Sequence, residues 1–109
     1  MDTTAINREL YNGSKRLAEQ SEQLFELART KAETEKDYRI ALMREIMSLR
    51  DQSLPATLIA DVARGAVADY KFNRDLAAET YTAAREAVKA AQAQVSALQT
   101  IYRYQDGGQ

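Results

Sequence analysis

A single proline, Pro55, divides this 109-residue chain almost in half, and nothing of comparable strength interrupts either side. Proline lacks a backbone donor and disfavours α geometry in the residue before it, so a helix arriving from upstream must stop by Leu54. From Ser14 to Gln52, and again from Ala66 to Tyr104, the chain is rich in Ala, Leu, Glu, Lys, Arg and Gln, the strong helix formers. Val and Ile are scattered, and no alternating run bounded by turn residues marks a strand. The expected fold class is therefore all-α: a long antiparallel helical hairpin with a short helix at the turn. One domain, 1–109, would hold a first long helix at about 14–52, a connecting helix at about 55–64 and a second long helix at about 66–104, with a frayed tail at 105–109. At 1.5 Å per residue, each long helix would reach roughly 58 Å. Pro55 suits the first turn of the connecting helix, and Gly65 offers a left-handed hinge or cap before the second long helix. Near the start, Asn12-Gly13-Ser14 either separates a leading turn, Thr4 to Tyr11, from the main helix or is absorbed by it.

The second helix carries the clearer packing signal. Val67, Tyr70, Arg74, Ala77, Tyr81, Ala84, Val88, Ala91, Val95, Leu98 and Tyr102 follow an unbroken 4-3 spacing, a heptad seam. Beside it lie Leu76, Ala83, Ala87, Ala90, Ala97, Ile101 and Tyr104, so the apolar arc is wider than one partner helix can cover. The first helix is weaker. Leu10, Leu17, Leu24 and Ala28 form one stretch of seam and Tyr38, Leu42, Ile46 and Leu49 another, while Lys31 and Glu35 occupy or flank the track between them. These features imply a homodimer closing into a four-helix bundle, with the second helices near its centre. Arg74, on an otherwise apolar track, requires an acidic partner or a snorkelled exit.

Composition removes whole classes of chemistry. With no Cys, His or Trp, the chain has no thiolate or imidazole nucleophile, no disulfide and no zinc finger. Fifteen basic against sixteen acidic residues leave a formal charge of −1, so no bulk field favours nucleic acid or an anionic membrane. No apolar run is long enough to span a bilayer, no basic-and-apolar leader opens the chain, and the location expected is the cytoplasm of a bacterial host. Glu33, Glu35 and Asp37 are the densest carboxylates, but Arg29, Lys36 and Arg39 lie within helical reach to neutralise them. A metal site is not expected, nor any cofactor. No glycine-rich phosphate loop follows a strand, and a two-helix hairpin has no obvious concave pocket, so the chain does not read as an enzyme.

Three segments stand out as binding surfaces. The first is the turn, where Leu54, Leu58, Ile59 and Val62 crowd into a short connection that would ordinarily be polar. They either plug the end of the bundle against Ile46, Leu49, Val67 and Tyr70, or form a protein-docking tip with Arg50 and Arg64 as its charged rim. The second, Ile101-Tyr102-Arg103-Tyr104, holds residue types common at interfaces, although both tyrosines can equally finish the core. The third is basic and aromatic: Arg44, Arg50, Arg64, Lys71 and Arg74 with Tyr70 and Phe72, a pattern that suits single-stranded DNA. Glu45, Asp51, Asp61, Asp69 and Asp75 cancel its charge.

The segment Leu54-Pro55-Ala56-Thr57-Leu58-Ile59-Ala60-Asp61-Val62-Ala63-Arg64-Gly65, with Tyr70-Lys71-Phe72-Asn73-Arg74-Asp75-Leu76-Ala77, resembles small helical-hairpin proteins of temperate bacteriophages. The likeness covers the turn and much of the second helix, up to Leu98-Gln99-Thr100-Ile101-Tyr102; the first helix agrees only in character. Many such proteins are encoded in early gene regions near recombination functions. The resemblance implies a phage origin and carries over no catalytic residue. Small helical phage proteins often act by occupying a surface of a larger host protein, as anti-CRISPR proteins do. A non-catalytic protein-binding module is thus the leading expectation. An accessory factor for phage recombination or replication that contacts single-stranded DNA is the alternative, and a purely structural coiled coil is the third.

Overall fold

The computed structural model describes residues 2–107. They form three helices: α1, Thr3–Asp51; α2, Ala56–Ala66; and α3, Ala68–Gly107. Among the described residues there is no strand. The fold is an all-α helical hairpin with a short helix at the turn, as the spacing of helix breakers implies.

Helix α1 begins at Thr3 rather than near Ser14, because Asp2 caps it. The Ala5 N–H donates to Asp2 Oδ1 at 2.8 Å, and the Ile6 N–H to the Asp2 carbonyl at 3.0 Å. An aspartate at this position satisfies orphan donors and places negative charge at the positive helix end. With that cap in place, the helix runs through Asn12-Gly13-Ser14 without a break. It ends after Asp51, where Gln52 and Ser53 bond back to the carbonyls of Leu49 and Arg50 at 3.2 and 3.0 Å. Ser53 then takes φ 60°, the left-handed conformation that turns the chain away, and is the only non-glycine residue to do so among those described.

Pro55 sits one position earlier than expected, as the N-cap of α2 with φ −57° and ψ 140°. Its carbonyl accepts the first bonds of the helix, from Leu58 N–H at 2.9 Å and Ile59 N–H at 3.2 Å. Gly65 is no hinge. It lies in the last turn of α2, and no described glycine has positive φ. The break falls at Val67 (φ −107°, ψ 18°), a mild bend that keeps α-type bonds from Val67 N–H to Ala63 and from Lys71 N–H to Val67, both 3.1 Å. At its far end α3 stays helical through Gly107, beyond the expected fraying point at 105; residues 108 and 109 lie outside the described set.

Contacts gather into two compact units, each drawing on both long helices. Unit 1 joins Met1–Glu26 to Thr82–Gln109, and unit 2 is Leu27–Tyr81. In unit 1, Ile6, Val88 and Val95 are buried, with Leu10, Leu17, Leu24, Ala84, Ala91, Leu98 and Tyr102 half-buried around them. At Gly13 α1 and α3 lie close together: a Cβ placed there would lie 3.2 Å from Val95 Cγ2. In unit 2, Leu49, Ala63 and Val67 are buried. Ala77 and Tyr81 are half-buried, and Tyr70, one turn past the bend at Val67, is the one position of the 4-3 seam left exposed.

The two helical glycines invite a paired test. Gly65 has open space around it, so Gly65→Ala should raise stability by up to about 1 kcal/mol through helix propensity. Gly13→Ala gains the same propensity but crowds Val95, whose branched side chain is stiff, and should return less than half of that gain. Urea melts of the two variants measure the difference.

Candidate protein-docking surface

Of the four aliphatic residues of the turn, Leu54 precedes α2, and the amphipathic period of the helix separates Ile59 from Leu58 and Val62. Ala63 is fully buried, while Leu54 and Ile59 are half-buried, so this side of the segment closes the turn. Leu58 and Val62, one helical turn apart, share the other flank and are 49% and 45% exposed. The plug and the exposed tip are therefore two faces of one helix. Arg50 lies exposed in the last turn of α1, where its charge complements the negative end of the helix. Arg64 is also exposed and pairs with Asp61 one turn back, at 2.9 Å.

A second polar cluster lies in the seam of unit 2. Arg74 lies among half-buried seam residues, with its guanidinium 4.3 Å from the centre of the Tyr38 ring and its Nε 3.6 Å from Glu35 Oε2. On its own helix it donates to Asp75 Oδ1 from Nε (3.1 Å) and Nη2 (2.9 Å). Lys71 Nζ reaches Asp75 Oδ2 at 3.3 Å, and Arg39 Nε reaches Glu35 Oε1 at 2.7 Å. One turn back along α1 from Glu35, the Lys31 ammonium lies 5.0 Å from the centre of the Tyr81 ring. Arg74 thus finds the acidic partner its position demands. Lys31 and Glu35, which break the apolar track of α1, meet the two residues of α3 that can accommodate a charge.

The hydrogen bond from Arg74, followed by that from Lys71, holds the Asp75 carboxyl below its ordinary range. The same bond raises the Arg74 guanidinium further above its already high value. This pairing also bears on the nucleic-acid pattern. Three of its cations, Arg64, Lys71 and Arg74, are engaged by carboxylates, while Tyr70 and Phe72 are exposed. Elsewhere, Arg29 binds Glu33 at 3.1 Å, and among the described residues no three acidic groups converge as a metal would require. No helix among them is long and apolar enough to cross a membrane.

At the far end of α3 the two tyrosines part company. Tyr102 is half-buried, whereas Tyr104 is 80% exposed and does not finish the core. The apolar residues flanking the seam, Leu76, Ala83, Ala87, Ala90, Ala97 and Ile101, are all exposed. So are Phe25, Met43 and Met47 on α1, which periodicity had not singled out as surface. Comparison of the chain with protein-family models, curated proteins and solved structures gives no match in any of the three.

Because the Asp75 carboxyl is held down in the folded chain, it stabilises the fold above the ordinary aspartate value of about 3.9, and that contribution is lost as pH falls through the lower folded value. Arg74→Ala should let Asp75 titrate closer to the ordinary value. Side-chain carbon NMR against pH checks both points, and an Asp75 that titrates identically in the two proteins would contradict them.

Proposed function

We propose that this chain is a non-catalytic protein-binding module, encoded by a phage, that acts in the cytoplasm of the bacterial host by occupying a surface of another protein. The observation that carries this reading is the exposed pair Leu58 and Val62 on a helix whose adjacent flank holds buried Ala63 and half-buried Ile59. A short helix packed along one flank, with exposed aliphatic residues on the next, presents the kind of surface that seats in a groove. We take the exposed Arg50 and Arg64, the latter paired with Asp61, as its charged rim, which favours a partner with carboxylates beside its apolar groove. A host or defence protein inhibited by steric occupation, in the manner of an anti-CRISPR, fits that description. The chain is further proposed to self-associate, because its second helix carries more apolar surface than α1 covers.

The test compares two variants. Leu58→Asp combined with Val62→Asp changes only exposed positions, so helicity and melting should remain close to those of the parent chain. Capture of a stoichiometric protein from nuclease-treated bacterial lysate should fall at least tenfold. Ile59→Asp, on the half-buried side, should instead cost about 1–3 kcal/mol of stability. Recovery that disappears with nuclease would replace this reading with the single-stranded-DNA accessory factor. Recovery of the chain alone would leave the structural coiled coil.

A further inference from the structure

In unit 2, the outward side of α1 carries two charges that its own helix leaves unanswered. Arg29 and Glu33, and Glu35 and Arg39, pair across one helical turn. Asp37 and Arg44 have no such neighbour: no basic residue lies three or four positions from Asp37, and no acidic one lies three or four from Arg44. Both are exposed, and neither makes an ion pair among the described residues. Two turns apart, they project from one line along the helix, within about 20° of each other and about 10 Å apart. Between them lie Ile40 and Ala41, both half-buried, one on either side of that line. Exposed Tyr70 closes one flank of the same cleft. Because Arg74 meets Glu35 and Tyr38, Tyr70, one turn earlier on the antiparallel α3, stands near the level of Ile40 and Ala41. The other flank holds Met43 and Met47, both exposed.

We infer that a second copy of this chain packs on this line, α1 against α1 and antiparallel, about a two-fold axis that passes between Ile40 and Ala41. The line of one helix then faces the same line of the other with its order reversed. Asp37 meets Arg44 of the partner subunit, and Arg44 meets Asp37 of the partner subunit, so one contact is made twice. A two-fold axis across the helices also brings like flanks together. Ile40 therefore meets Ile40 of the partner subunit on the methionine flank. Ala41 meets Ala41 of the partner subunit on the other flank, where the small pair lets the helices come close and Tyr70 seals the edge. The stem of Lys36 lies between Met43 of the partner subunit and Met47 of the partner subunit, with its ammonium in water. Charge fixes both direction and register. A parallel pair would set Asp37 on Asp37 of the partner subunit and Arg44 on Arg44 of the partner subunit. An antiparallel pair slid by seven residues would place one of these two like pairs at its centre. The contact is separate from the association through α3 proposed above, and a chain that uses both faces assembles beyond a dimer.

The chain has no cysteine, so one introduced beside the axis reports this contact and not one made through α3. Ile40→Cys should oxidise to a cross-linked dimer. Asp37→Arg added to it, at an exposed position, sets like charges together twice and should lower the cross-linking about tenfold while helicity is retained. Arg44→Asp added in turn reverses both partners and should restore it. In a parallel pair the doubly reversed chain would again set like on like, so recovery identifies the antiparallel register. An Ile40→Cys chain that does not cross-link, a yield that Asp37→Arg leaves unchanged, or a double reversal without recovery overturns this interface. Sedimentation of the wild-type chain separates the two faces. Association with concentration but without the Ile40→Cys cross-link overturns this interface and leaves the one on α3, whereas a chain monomeric at every concentration overturns both. Protein capture through Leu58 and Val62 is read separately from all of these outcomes.

Discussion

The charge of Arg74 is what makes the pairing of α1 and α3 in unit 2 unique. The seam of α3 is otherwise a repeat of Ala, Val and Tyr, and such a repeat tolerates a slip of one heptad with little loss of packing. Arg74 does not tolerate it. In the observed register its guanidinium meets the carboxylate of Glu35 and the face of Tyr38. A slip of seven residues would set it against Leu42 or Ala28, and would move Tyr81 from the Lys31 ammonium to Tyr38 or Leu24. A half-buried ion pair contributes little net stability, since desolvation offsets much of the attraction, but an unpaired charge in the same place is costly. The cluster therefore acts mainly against wrong registers, as a polar residue does at a core position of a coiled coil.

Unit 1 achieves close pairing by a different route. There the contact rests on small residues: Gly13 lets Val95 approach, and Ala84 and Ala91 keep the α3 track low. Small layers give proximity but bury little apolar area: among the described residues of unit 1 the buried apolar side chains are Ile6, Val88 and Val95, and of these Ile6 alone is fully buried. The hairpin combines a unit whose register is set by charge with one whose spacing is set by side-chain size. Neither unit holds a large aliphatic core, which is the expected consequence of folding 109 residues into a hairpin.

Breaker positions made the architecture legible. One proline among two long runs of helix formers leaves few alternatives, and the 4-3 spacing of α3 identified the side that faces α1. The errors fall at helix ends. Asn12-Gly13-Ser14 points to a start for α1 near residue 14, whereas the Asp2 cap on the Ala5 N–H carries it back to Thr3. Gly65 looked like a hinge because glycine permits one, but permission is not demand. The actual bend falls at Val67, whose side chain is buried, which indicates that packing rather than backbone freedom places it. Tyr70 and Tyr104 were misplaced for a related reason. A heptad pattern states which residues share a stripe, not where along the stripe the opposing helix remains in contact. The turn residues could not be divided by composition at all. Their separation into buried Ala63 and exposed Leu58 and Val62 required the phase of α2, and that phase is set by where Ser53 and Pro55 start the helix.

The exposed apolar residues of α2 and α3 differ in kind, and the difference argues for different occupants. On α2 they are two branched aliphatic side chains, a surface that offers substantial area from few residues and suits an unlike partner with a groove. On α3 they are mostly alanines at heptad spacing, which offer little area per residue and reward only a smooth helix that can come very close. A copy of the same helix meets that requirement without further adaptation, since its own surface is equally low. Self-association through such a face, as proposed above, would add burial to a fold that has little of it and would make the stability of the chain depend on its concentration. The small residues that bring α1 and α3 together in unit 1 recur one stripe further around α3, where they are exposed.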